Sequence, residues 1–216
     1  MARRTKEDAL ATRNKLLDSA EYLFQSQGVS RTSLQDIARR AGATRGAVYW
    51  HFTDKAALFN AMIERVTLPL EAAFSDNADP LTDSLPVEVD ALLKVRKATV
   101  EALSRIVNDA QTRRVFEVAT QKVEYVDELH TVRLRHLAIR QSFVSRFEQS
   151  IESAAKRDRL LLPMPAALAA RGFHALIDGL IQNWLLDQKA FNLLDVGQRA
   201  MNIYLKGLGF SIAPEK

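Results

Sequence analysis

The sequence predicts an all-α protein, with a small helix-turn-helix domain at the N-terminus and a larger helical domain behind it. Three observations carry this. Glycine punctuates the N-terminal quarter at Gly28, Gly42 and Gly46 and is then absent until Gly172. Between the breaks, apolar residues recur at the three-and-four spacing of a helix face, and no alternating run marks a strand. The other breaks are few: Pro80 and Pro86 flank a polar run over 75–84, and Pro163 and Pro165 mark a second break. About nine helices are expected, over 7–27, 34–41, 45–51, 55–74, 87–109, 111–121, 124–157, 166–187 and 192–208. The domains are expected at 1–54 and 55–216. With 216 residues, 47% hydrophobic and 26% charged, the chain can bury a real core and stay soluble.

The first helix carries Leu16, Leu17, Ala20, Leu23 and Phe24 on one face and is expected to end at Gly28. The stretch Arg31-Thr32-Ser33-Leu34-Gln35-Asp36 then offers two overlapping capping boxes, Thr32 with Gln35 and Ser33 with Asp36. The helix they open places Leu34, Ile37, Ala38 and Ala41 on one side and stops at Gly42. A new helix starts after Ala43-Thr44. Two short helices joined by a tight glycine-containing turn make a helix-turn-helix.

In such a motif the second helix enters the major groove, its N-terminal residues against base edges. Here that helix is Thr44-Arg45-Gly46-Ala47-Val48-Tyr49-Trp50-His51-Phe52. Val48 and Phe52 would face the core, while Arg45 and Tyr49 share another face. Thr44 can cap the helix or reach a phosphate. Arg45 is the expected base reader, because a guanidinium pairs with guanine O6 and N7 together. Gly46 and Ala47 are small enough for the backbone to lie close to the groove. Tyr49, Trp50 and His51 carry donors suited to phosphate oxygens. Lys55 adds a phosphate contact. Each has a plainer alternative: Thr32 and Ser33 as caps only, Trp50 as a core aromatic.

The stretch from Thr12 to Phe59 resembles the DNA-binding domain of TetR-family regulators. There a glycine-terminated helix leads to a T-S/T-L-x-D-I-A-x-x-A-G helix and then a T-x-G-A-x-Y-x-H-F helix. The opening Arg3-Arg4-Thr5-Lys6-Glu7 and the string from Thr44 to Phe52 are similar to the multidrug-efflux branch (the AcrR/TtgR type). The resemblance implies a repressor that holds double-stranded operator DNA as a dimer and is released by a small molecule. Thr32, Ser33, Thr44, Arg45, Gly46, Ala47, Tyr49, Trp50, His51 and Lys55 form the expected DNA set.

Behind the helix at 55–74, which would join the two domains, the resemblance thins. Arg113-Arg114-Val115-Phe116-Glu117-Val118 resembles the start of a pocket-lining helix in that branch. The string from His174 to Trp184 resembles its eighth helix, where an acid before a glycine can face the pocket. Positions that carry polar pocket groups in relatives appear as Thr67, Phe116 and Thr120. With His174, Ile177 and Asp178 they make the expected ligand set. Asp178, on a mostly apolar helix, either meets a cationic or hydrogen-bonding ligand or is satisfied by a protein partner. His174 is either on that face or purely structural. An apolar or aromatic inducer is the ligand class implied. The helices at 166–187 and 192–208 hold more apolar residues than one stripe each requires, including Leu176, Leu180, Trp184, Met201 and Ile203. A second copy would bury the surplus in a four-helix interface.

Charge agrees with this plan. Residues 1–60 hold ten Lys/Arg against six Asp/Glu, and the rest of the chain is balanced, so the net charge of +4 sits where a polyanion would be met. The absence of cysteine excludes disulfides, thiolate zinc sites and cysteine nucleophiles, and fits a reducing cytoplasm. No signal peptide and no membrane span are expected. No phosphate loop, H-E-x-x-H or nucleophile elbow is present, and the four histidines form no metal-ligand spacing, so neither enzyme nor cofactor is expected. The alternative is a regulator of the same type controlled by a protein partner or acting as an activator.

Overall fold

The computed structural model describes residues 6–73 and 91–212. Among these it holds nine α-helices and one 3-10 turn: α1 (Lys6–Gln27), α2 (Leu34–Arg40), α3 (Arg45–His51), α4 (Lys55–Ala73), α5 (Ala91–Asn108), α6 (Ala110–Gln121), the turn Asp127–Leu129, α7 (His130–Arg157), α8 (Ala166–Leu186) and α9 (Leu193–Gly207). No described helix is long and apolar enough to cross a membrane. The residues Arg3-Arg4-Thr5, the expected loop at 75–84, Pro80 and Pro86, and the expected first turn at 87–90 lie outside the described residues.

One expected helix begins late. Residues 124–126 are not helical, a 3-10 turn follows, and α7 starts only at His130. Long-range contacts override local propensity there. The Lys122 carbonyl accepts the Val29 N–H at 3.1 Å, and Leu129 is fully buried in the core.

The chain forms two compact units, each from two chain segments: 1–67 with 111–137, and 68–110 with 138–216. In the first, the apolar face of α1 (Leu16, Leu17, Ala20, Phe24) packs with Ile37 of α2, Val48 of α3, and Leu58, Phe59 and Met62 of α4. Val115 and Val118 of α6, with Leu129 and Val132, close this core. The Phe24 and Phe59 rings lie 5.8 Å apart.

Polar groups tie α1 to its neighbours in this unit. The Glu21 carboxylate accepts from the Arg65 guanidinium of α4 and, at 3.1 and 3.4 Å, from the Gln111 amide of α6. One α1 turn further on, the Gln25 amide donates to Glu117 of α6 at 2.8 Å. Together with the Val29–Lys122 bond, these contacts run along α1 and α6 as a ladder. Farther along α4 sits Pro69, which has no N–H for the Arg65 carbonyl.

In the second unit, α5 and α8 both pack on α9. Phe147 of α7 stacks on Phe173 of α8 at 4.0 Å, and the Tyr204 hydroxyl of α9 donates to the Ala169 carbonyl at 2.7 Å. Glycine allows this approach: a Cβ on Gly172 would stand 2.4 Å from the Tyr204 hydroxyl. Much of the apolar surplus of α8 and α9 is used inside the protomer, where Phe173, Ile181, Trp184, Leu185, Met201 and Leu205 are buried. Ile203 and Leu186 are left 70% and 73% exposed.

Candidate nucleic-acid interface

The expected recognition helix, α3, is set by its caps. Ser33 begins α2 with a complete capping box: its hydroxyl accepts from the Asp36 N–H, and the Asp36 carboxylate accepts from the Ser33 N–H. That bonding lowers the Asp36 pKa, with the Ser33 side chain as the leading cause. Thr44 begins α3, its hydroxyl accepting from the Ala47 N–H at 3.2 Å. Such a cap satisfies a donor at the helix start that would otherwise be orphaned. Behind α3, Val48 and Phe52 are buried as expected.

The opposite face of α3 is exposed. Arg45 and Tyr49, one turn apart, lie together, with an Arg45 Nη2–Tyr49 hydroxyl distance of 3.4 Å and the guanidinium 5.5 Å from the ring centre. The hydroxyl raises the Arg45 pKa. Trp50 is 72% exposed and therefore no core aromatic; its indole meets the half-buried His51 edge-on at 4.5 Å. Gly46 and Ala47 complete the helix, with Ala47 turned inward.

Besides Ala47, which is buried and does not face the groove side, two expected contacts sit differently. Only one of the two capping boxes forms. Thr32 is 1% exposed, its hydroxyl donating to the Gly28 carbonyl at 2.8 Å and accepting from the Gln27 amide at 3.1 Å. It braces the link between α1 and α2, and the box with Gln35 is not made because the hydroxyl is engaged behind it. Lys55 is 8% exposed, with Nζ 3.4 Å from the Ser30 carbonyl. Its stem packs inward and its amine closes the α1–α2 link.

The structure also brings in residues absent from the expected set. Arg13 of α1 lies over the Phe52 ring at 5.4 Å, and Arg40 of α2 over the Tyr22 ring at 3.5 Å. Arg13 was readable, since it continues the α1 face of Leu17 and Ala20 by one turn. Tyr22 with Arg40 and Glu21 with Arg65 join residues far apart in sequence, and no local spacing signals them.

The expected ligand residues are divided between the units. Thr67, Phe116 and Thr120 belong to the first: the Thr67 hydroxyl is buried with no hydrogen-bond partner, and that of Thr120 donates to the Phe116 carbonyl at 2.8 Å. His174, Ile177 and Asp178 lie half-buried on α8 in the second. The Asp178 carboxylate accepts from Gln182, one turn on, at 2.6 Å.

Residues 16–62 match the family model of bacterial regulatory proteins of the tetR family, and residues 90–210 match that of the C-terminal region of MAATS-type transcriptional repressors. The chain is 35% identical to the HTH-type transcriptional regulator TtgR of Pseudomonas putida, over 100% of both chains. It is 32% identical to the HTH-type transcriptional repressor BepR of Brucella suis, over 95% of this chain and 96% of that one. Among solved structures, NalD, the secondary repressor of the MexAB-OprM multidrug efflux pump in Pseudomonas aeruginosa, is 37% identical with a TM-score of 0.81, covering 94% of this chain and 98% of its own. A SmeT–triclosan complex is 28% identical with a TM-score of 0.73, covering 95% of this chain and 100% of its own.

Proposed function

Because the chain belongs to the TetR family of bacterial regulatory proteins, and so is a DNA-binding transcriptional regulator and not an enzyme, we propose that it represses a multidrug efflux operon and is released by aromatic, drug-like ligands. Two subunits bind a palindromic operator in the cytoplasm, one α3 per half-site. The observation that carries the operator reading is the make-up of α3: Arg45, Tyr49 and Trp50 exposed, Val48 and Phe52 anchored in the core. Arg45 reads a guanine, while Ser33, Thr44, Tyr49 and Trp50 position the helix on phosphates; His51, whose Nε2 is buried, packs beside Trp50 and Phe52 instead. Thr32 and Lys55 support that surface from behind.

Residues 1–54 read and 55–216 sense and dimerise. This boundary separates roles; packing is shared more widely, since the first core takes side chains from 111–137. Exposed Leu168, Leu186 and Ile203 on α8 and α9 supply the apolar surface for a second copy. Thr67, Phe116, Thr120, His174, Ile177 and Asp178 are the ligand residues of this reading. It is supported by the efflux-pump repressor NalD and by the triclosan complex of SmeT among the similar structures. A ligand that favours the released form shifts operator affinity by about 5- to 150-fold, the usual range of allosteric coupling.

The test is fluorescence anisotropy of the full-length protein on a labelled duplex from the region beside its own gene, with unrelated competitor DNA present. Competitor-resistant binding by two subunits or a multiple, reversed by triclosan or by a member of a panel of dyes and antibiotics, is the expected result. Binding that no duplex selected from a random pool improves over unrelated DNA would overturn the reading.

A further inference from the structure

Operator reading by α3 makes no use of Glu21, the only fully buried carboxylate among the described residues, at 2% exposure. A carboxylate in a core is costly unless paired. Burial is the leading cause that raises the Glu21 pKa, with the Asp18 charge adding to it and the Arg65 and Gln111 contacts opposing it. Those two contacts come from α4 and α6, so three helices of the first unit meet at this one side chain.

α1 is also the platform under the recognition helix. It packs on both α2 and α3. Tyr22, next to Glu21, carries the Arg40 guanidinium of α2, and Arg13 covers Phe52 at the end of α3. Glu21 is therefore where α4 and α6 grip the element that seats α3. The Arg65 nitrogen that reaches Glu21 also stands 2.8 Å from Asp18, three residues earlier on α1 and 63% exposed. One guanidinium thus spans a buried and an exposed carboxylate, while its Nε is buried with no hydrogen-bond partner.

We propose that Glu21 is a positioning residue for operator recognition: its buried contact with Arg65 and Gln111 holds α1 in the operator-competent seat, and Asp18 is the exposed partner that Arg65 keeps when it leaves that seat. This rests on α3 reading operator DNA. It predicts opposite behaviour for two acids one turn apart on the same helix.

The experiment compares full-length wild type, Glu21→Gln, Asp18→Asn and the double variant Glu21→Gln/Arg65→Met. Affinity for the operator duplex and for an unrelated duplex is read by anisotropy, and thermal melts establish that each protein is folded at the assay temperature. Glu21→Gln is expected to bind operator about tenfold more weakly, with affinity for unrelated DNA unchanged, because the phosphate contacts remain. Asp18→Asn is expected to bind at least as tightly as wild type. If Glu21→Gln does not fold, the double variant, which leaves no lone buried charge, is expected to show the same selective loss. Operator binding at wild-type strength by Glu21→Gln, or by the double variant in its place, would overturn the inference. So would an equal loss on operator and unrelated DNA, which marks general destabilisation, or the same loss in Asp18→Asn. A wild type that prefers no operator would count instead against the reading of α3.

Discussion

At the scale of single residues, Arg45 offers the sharpest expectation. Arg45→Ala should cost about 1–3 kcal/mol of discrimination at one base pair of each half-site and leave the others unchanged. Competition among duplexes with single-base substitutions measures this, and a uniform loss at every position would mark Arg45 as a phosphate contact instead. Arg45→Lys should not restore the preference, because an ammonium lacks the planar pair of donors. The two caps make a simpler case: Thr44→Ala or Ser33→Ala should each lower stability by about 1 kcal/mol, read as a shift of the urea midpoint. Acid titration separates Asp36 from Glu21. The Asp36 pKa is lowered in the folded state, so its stabilisation is present at neutral pH and is lost as pH falls through the carboxylate range. Asp36→Asn should flatten that limb of the stability profile. Glu21 acts with the opposite sign: its pKa is raised, so the charged form works against folding at neutral pH and the penalty fades as pH falls. Much of this scale was legible. Arg45, Tyr49, Val48 and Phe52 declare their faces by four-residue spacing within one helix. Thr32 misled because a hydroxyl three residues before a glutamine reads as a cap, whereas its actual partners, Gly28 and Gln27, lie behind it.

At the scale of elements, two glycines separate backbone strain from crowding. Gly42 has φ +64 and nothing within 4 Å of a Cβ position, so Gly42→Ala should cost only the left-handed backbone penalty, about 1 kcal/mol. Gly172→Ala drives a methyl to 2.4 Å from the Tyr204 hydroxyl, which is itself held by the Ala169 carbonyl. It should cost about 1–3 kcal/mol through overpacking, and the paired variant Gly172→Ala/Tyr204→Phe should recover part of that in thermal melts. Helix identity was readable wherever one apolar stripe met a clear stop, as in α1 to α4. The start of α7 was not, because nothing in Glu124-Tyr125-Val126 forbids a helix. What breaks it is Leu129 entering a core built mainly from the first third of the chain, a contact that no window of neighbouring residues contains.

At the scale of the whole molecule, self-association is the property to measure. If α8 and α9 meet a second copy, Leu186→Glu and Ile203→Glu should convert dimers to monomers in sedimentation velocity while each protomer stays folded, since both side chains are exposed. Operator affinity should fall with them, because one recognition helix reads only half a palindrome. Charge arithmetic places the basic excess in residues 1–60, at the end that carries the helix-turn-helix, but it holds no trace of how the cores are shared. That sharing constrains how such a regulator can be rebuilt. The backbone passes between the two compact units at 67/68, 110/111 and 137/138. A fragment cut after α4 would leave the head without Val115, Val118, Leu129 and Val132 and bare the apolar face they cover. A chimaera that moves this helix-turn-helix head onto another C-terminal domain therefore needs two grafted segments, 1–67 and 111–137, and recombination at a single crossover would yield a head whose core lacks Val115, Val118, Leu129 and Val132.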